Sequence, residues 1–322
     1  MCGTALCADG GVVVRVAAVD CGTNSVRLLI ADIARDGSEP VDVERRMEIV
    51  RLGQGVDRTG RLAPEALERT FTAMRGYAQL IAEHAGPSGR MPVRVVATSA
   101  TRDASNRADF VAGVREIFGV EPEVVTGEEE ARLSFTGATN GGPGAGDAPY
   151  LVVDIGGGST EFVVGTDAVE GALSVDIGCV RLTERHLKGD PPDQATVEAA
   201  IADIEAAMDR VEAVVPVRRA RTLVGLAGSV TTVAGIALGL PDYDPAKIHH
   251  SRVPAHEVHE ISARLLGMTH DERAAIPVMH PGRVDVIGAG ALILDRIVAR
   301  YGFDEVVVSE HDILDGIAWS LV

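Results

Sequence analysis

The chain is 322 residues long and carries 47 acidic against 30 basic side chains, a formal net charge of −17 with histidine neutral. That charge excludes non-specific nucleic-acid binding, because backbone phosphates demand a basic surface. A hydrophobic content of 46% with 24% charged residues excludes disorder at scale, and the length supports two domains with separate cores.

The first eleven residues lack a basic region followed by an apolar core of signal-peptide length, and no later apolar run approaches a membrane span. A cytoplasmic protein without membrane association is therefore expected. Cys2, Cys7, Cys21 and Cys179 show no CxxC spacing, so neither a disulfide framework nor a zinc site is supported.

Strands are expected over residues 15–19 and 27–32, joined by the loop Asp20-Cys21-Gly22-Thr23-Asn24-Ser25, and a polar-alternating segment at 44–52 extends the sheet. Residues 64–85 have helical periodicity with Pro64 in the first turn. The strand 93–97 runs into Thr98-Ser99-Ala100-Thr101-Arg102, a hydroxyl-rich helix start with Arg102 within reach of an anion; a plain N-cap with a surface arginine fits the same residues.

A short strand at 120–125 leads into Thr126-Gly127-Glu128-Glu129-Glu130. Thr126 with Glu129 has the capping-box pattern, which occupies Glu129. Glu130 lies about 100° further round the helix and is the carboxylate left to orient a water, held ionised by the helix dipole. Residues 140–147, rich in glycine and proline, are expected to connect two lobes, 12–139 and 148–310.

The second lobe opens with the apolar run 150–153, then Asp154-Ile155-Gly156-Gly157-Gly158-Ser159-Thr160-Glu161, then the apolar run 162–164. This reads as a β-hairpin with a glycine-rich loop. Three glycines can take positive φ and carry no side chains, so several amides can converge on one anion, phosphate being the natural guest. Asp154 beside that anion calls for a cation, or a water needing orientation, between them, which points to metal-assisted phosphoryl chemistry.

One such loop is equally an ordinary hairpin turn. Residues 19–30, however, repeat the pattern: Asp20 matches Asp154, Gly22 matches Gly156 and Ser25 matches Ser159. One supersecondary unit used twice predicts two similar lobes whose loops face one cleft.

Further along, a strand at 174–179 precedes a helix from Arg181, residues 194–214 form a helix with an acidic outer face, and the strand 222–226 ends in Ala227-Gly228-Ser229, a third glycine and hydroxyl turn before a helix. Residues 256–260 lack HExxH spacing and read as surface helix. Arg283, an anion contact or a helix-start residue, precedes an apolar helix at 284–297. A strand at 305–308 and a helix at 313–321 close the chain.

Residues 20–25, 97–102, 127–132 and 154–161, in that order, resemble the exopolyphosphatase and guanosine-pentaphosphate phosphohydrolase family, of the actin-like superfamily that includes sugar kinases and Hsp70 ATPases. The resemblance runs from about residue 15 to the end and is nearest the short actinobacterial members. It implies an α/β fold of two ribonuclease-H-like lobes around a central cleft, with a C-terminal helix, about 311–322, packing back on the first lobe. It implies a magnesium-dependent hydrolase, manganese being a substitute, acting on inorganic polyphosphate or pppGpp, and a homodimer.

By position, the resemblance makes Glu130 the catalytic carboxylate and gives Asp154 and Glu161 the metal and the attacking water. Asp20, Gly22, Thr23, Asn24, Ser25, Arg102, Gly156, Gly157, Gly158, Ser159, Thr160, Gly228 and Ser229 would hold phosphates. Cys21 stands where an aliphatic residue is commoner, and Gly228-Ser229 where Gly-Gly or Ser-Gly is frequent. Two rival readings are an ATP-dependent sugar or acetate kinase, which needs a glycine-rich adenosine pocket, and a sensor that binds polyphosphate or the alarmone without turnover. A P-loop kinase is excluded by the absence of GxxxxGK[ST].

Overall fold

The computed structural model describes residues 5–6, 12–35, 40–86, 90–140 and 146–322. The chain divides into two compact units, Met1–Pro143 with Ile313–Val322, and Gly144–Asp312. The connector expected at 140–147 falls mostly outside the described residues.

The first unit contains β1 (Ala5–Leu6), β2 (Val12–Cys21), β3 (Ser25–Ala34), β4 (Val41–Ile49), α1 (Val56–Thr59), α2 (Pro64–His84), β5 (Val93–Ala97), α3 (Ser99–Asp103), α4 (Arg107–Phe118), β6 (Glu123–Val124) and α5 (Gly127–Thr139). Its sheet runs β4-β3-β2-β5-β6, with β1 paired to the start of β2. β2, β3 and β4 are an antiparallel meander, and β5 and β6 add in parallel.

β2 is apolar along nearly its whole length because both of its faces are covered. Ala17, Val19 and Cys21 face one core with Leu67, Met74 and Phe110 of α2 and α4, while Val16 and Ala18 face a second core with Leu133 of α5. Edge strand β4 instead alternates charges, Glu44, Arg45, Arg46 and Glu48, which discourages edge-to-edge pairing.

The second unit contains β7 (Tyr150–Ile155), β8 (Thr160–Gly165), β9 (Val169–Val175), α6 (Cys179–Arg185), α7 (Gln194–Val214), β10 (Thr222–Leu226), α8 (Ala227–Ala237), α9 (Pro245–Ile248), β11 (Arg252–Pro254), α10 (Ala255–Gly267), α11 (His270–Ala274), α12 (Ile287–Tyr301) and β12 (Glu305–Val308). Its sheet, β11-β12-β10-β7-β8-β9, repeats the first: a meander β7-β8-β9, then β10 and β12 in parallel, with β11 added antiparallel. Each unit is thus a ribonuclease-H-like α/β domain, the fold expected from the sequence.

α13 (Ile313–Trp319) belongs to the first unit. Ile313, Leu314, Ile317 and Ala318 complete the core beneath Val16 and Ala18, and Arg45 Nη2 holds Asp315 Oδ1 at 2.5 Å. No helix of the described residues is long and apolar enough to cross a membrane.

Candidate active site

In the first unit the turn between β2 and β3 presents Gly22, Thr23 and Asn24 at the carboxyl end of β2. Neighbouring β5 ends at the same level, with Cys21 in register with Ala97 and the Thr98 amide bonded to Cys21 O at 3.2 Å. α3 therefore starts beside the turn.

Asp20 sits opposite Arg27 across the hairpin and is 3% exposed; Arg27 Nη2 and Nε donate to its Oδ2 at 2.7 and 3.0 Å. What this position offers an anion is the guanidinium, since the carboxylate is engaged in holding it. The hydroxyls of Thr23 and Thr101 are buried without a hydrogen-bond partner among the described residues, the kind of group a ligand oxygen satisfies.

Glu130 lies in the first turn of α5 and is 7% exposed. Its Oε2 accepts from Arg102 Nη1 at 2.8 Å, and the same nitrogen donates to Val125 O at 3.0 Å. Two residues 28 apart in sequence, singled out for different reasons, are thus in contact. Glu130, left out of the cap, points to Arg102.

The helix start is capped by Thr126, whose Oγ1 accepts from the Glu129 amide at 3.2 Å. The Glu129 carboxylate points toward Arg94, 3.8 Å away, so the charge of β5 competes with the reciprocal half of the capping box.

In the second unit Asp154 and Glu161 stand opposite each other across β7 and β8, both buried, and Glu161 Oε1 accepts from Ser174 Oγ at 2.7 Å. The repeat therefore diverges at its eighth position: an acid faces an arginine in one hairpin and a second acid in the other. Carboxylates directly opposite repel and call for positive charge nearby.

Among the described residues no three or more histidine, cysteine or acidic side chains form a metal cage. Magnesium does not need one, because it is commonly bound by one or two carboxylates together with water and phosphate oxygens. The hard oxygen donors Asp154 and Glu161 fit that pattern.

None of Gly156, Gly157 and Gly158 uses the positive φ open to glycine. The loop is shaped from outside by α6, whose first amides bond its carbonyls, 3.0 Å from the Cys179 amide to Gly156 O and 2.9 Å from Val180 to Gly157 O. Thr160 is buried with its hydroxyl donating to Ile177 O at 2.5 Å, which makes it part of the support of the loop.

β10 runs parallel to β7, with Leu226 in register with Asp154, so Gly228 and Ser229 follow at the same sheet edge. Ala227 takes φ +66 to make the turn. The Arg283 guanidinium lies against Gly228 where a Cβ would fall 1.3 Å from Nη1. Arg27 was missed by sequence reasoning, although its place seven residues after Asp20 matches Glu161 after Asp154.

Burial and neighbouring Asp20 push the Cys21 thiol well above its ordinary pKa, and burial pushes Cys179 up. Both are buried free thiols and are inert as nucleophiles. Iodoacetamide at pH 8 is expected to leave both unmodified in the native protein and to alkylate both after denaturation, as read by peptide mass spectrometry. Rapid native labelling of Cys21 would contradict its protonated state.

A family model described as the Ppx/GppA phosphatase family matches residues 29–322. Exopolyphosphatase 2 of Mycobacterium tuberculosis is 51% identical over 318 residues, covering 95% of this chain and 98% of the relative. Exopolyphosphatase 1 of the same species is 28% identical over 316 residues, covering 94% and 87%.

Among solved structures, an exopolyphosphatase-like protein superposes with a TM-score of 0.89 at 44% identity, over 95% of this chain and 98% of that one. The Aquifex aeolicus Ppx/GppA family member does so at 0.77 and 31% identity, over 96% and 97%. With the family match spanning most of its length and each of its two sheets built on one plan, the chain belongs to the Ppx/GppA phosphatase family.

Proposed function

We propose that this chain is an exopolyphosphatase that removes terminal phosphates from inorganic polyphosphate by in-line attack of water. The observation that carries the reading is Glu130, buried in the first turn of α5 and bonded at 2.8 Å to Arg102 of the short, hydroxyl-rich α3. The 51% identity to a relative named exopolyphosphatase supports the choice of substrate.

Phosphoryl transfer passes through a loose transition state, so the protein contributes positioning and charge neutralisation rather than covalent chemistry. Glu130 orients the attacking water and takes its proton, while Arg102 keeps the carboxylate aimed. Turn amides and hydroxyls of residues 23–25, with Arg27 held by Asp20, bind phosphate oxygens in the first unit, the Gly22 amide being donated to Ser25 O within the turn. In the second, the amides of residues 157–159 and the turn Gly228-Ser229 do the same, the Gly156 amide being donated to Ser159 O.

Magnesium, with manganese as substitute, is the cofactor in this reading: Asp154 and Glu161 would hold it, and when bound it supplies charge neutralisation at the phosphate oxygens. A cytoplasmic setting and a homodimer belong to the same reading.

The test is phosphate release from short polyphosphate, long polyphosphate, pppGpp and ATP, with magnesium and with a chelator. The expected result is the highest kcat/KM on polyphosphate and loss of release with the chelator. Release from pppGpp alone would overturn the substrate assignment, and no release from any of the four would overturn the reaction.

A further inference from the structure

In the second unit the carbonyls of the glycine loop all point the same way. Gly156 O accepts from the Cys179 amide at 3.0 Å, and Gly157 O from the amides of Val180 and Arg181 at 2.9 and 3.1 Å. Gly158 O accepts from Arg181 Nε at 2.6 Å. A trans peptide points its N–H opposite to its C=O. With three successive carbonyls turned toward 179–181, the amides of Gly157, Gly158 and Ser159 are turned to the other side together.

Convergent amides are what an anion-binding nest requires, and nests ordinarily arise from alternating right- and left-handed backbone. Here no loop residue supplies positive φ, so the shape does not come from the loop itself. It comes from its neighbour. The amides at the start of α6 are spent on loop carbonyls and act as a template rather than as a ligand site.

The fit leaves no slack. At Gly178, which precedes α6, a Cβ would fall 2.4 Å from both C and O of Gly157. Its φ of −141 is open to any residue, so glycine is required there by close approach alone. The Arg181 side chain is 11% exposed and has Asp176 3.9 Å away.

The first unit does the same job with different residues. Thr23 O accepts from the Gly53 amide at 2.8 Å, and Asn24 O from Val50 and Arg51 at 3.0 and 2.8 Å. The strap in that case is the turn after β4, with Arg51 at φ +51. Both loops are held from behind by the segment that follows the third strand of each meander.

We infer that Gly178 and Arg181 are positioning residues for phosphate binding: Arg181 locks the Gly158–Ser159 peptide through its carbonyl, and Gly178 lets the template approach, so that the loop amides meet the substrate already aligned. The inference rests on the phosphate-binding role proposed for this loop. Arg181 acts on the substrate through the loop.

The test uses the full chain and two readouts, KM for long polyphosphate and Kd for tripolyphosphate, with thermal melting and circular dichroism as controls on folding. Arg181→Met, which keeps length and apolar stem but removes the donor, is expected to raise both constants about tenfold, since small misplacements of positioning groups cost at least that much. Arg181→Lys, which restores a donor, is expected to recover most of the loss.

Gly178→Ala removes no charge and is expected to raise the same constants. Because both changes disturb one loop, the double variant is expected to fall well short of the product of the single effects. Constants within twofold of wild type in Arg181→Met and Gly178→Ala, or a fully multiplicative double variant, would overturn the inference. A wild type that binds tripolyphosphate without releasing phosphate from any substrate would instead sink the proposed reaction and leave this test standing, because Kd still reads the loop.

Discussion

Glu130→Gln is expected to lower phosphate release from polyphosphate by roughly 10³-fold, within the 10²–10⁴ range of a lost general base, while Kd for tripolyphosphate stays within about threefold. Glutamine is the right replacement because it keeps an oxygen for Arg102 Nη1, which bonds Glu130 at 2.8 Å, and removes only the basicity. Alanine would also leave a partly buried guanidinium short of its carboxylate, and lost activity would then be mixed with lost packing. Single-turnover release measured beside binding separates the two effects. Near wild-type turnover in the glutamine variant would remove Glu130 from the reaction.

The second large effect is expected at Asp154. If Asp154 and Glu161 hold magnesium, the ion stabilises the folded chain by mass action, about 2.7 kcal/mol at a concentration one hundred times its Kd. Asp154→Asn takes away one of the two opposed carboxylates and is expected to erase that magnesium-dependent rise in melting temperature and to lower kcat at least 10²-fold. A variant that keeps the full magnesium shift places the ion elsewhere.

Much of the site is legible as local pattern. The recurrence of acid, glycine and serine at the same offsets after two apolar runs locates both hairpin turns, and the strands 93–97, 222–226 and 305–308 are recovered to the residue. These features survive in the structure because strand patterning and turn chemistry are short-range, acting within one hairpin. Glu130 was singled out by helix periodicity for the same reason.

Other features depend on which chain segments meet. The Arg102–Glu130 pair joins α3 to α5 over 28 residues, and Arg181 reaches Gly158 over 23. Neither spacing is a motif. The glycines use none of the positive φ open to them, because a loop held by an external template does not need left-handed backbone. Glu129 likewise turned to Arg94, a charge on a different element.

The sequence by itself determined the two-hairpin plan and the places of Asp20, Glu130 and Asp154, since each is written in spacing along one segment, while the ribonuclease-H-like order of elements was implied by the family resemblance. Tertiary structure decided what those acids face. Cross-strand register gives Asp20 an arginine and Asp154 a second acid, and packing of 50–53 and 178–181 against the loops sets the direction of their amides. The reason is physical: where a carbonyl or a carboxylate points is settled by the partner that satisfies it, and those partners come from parts of the chain that only folding brings alongside.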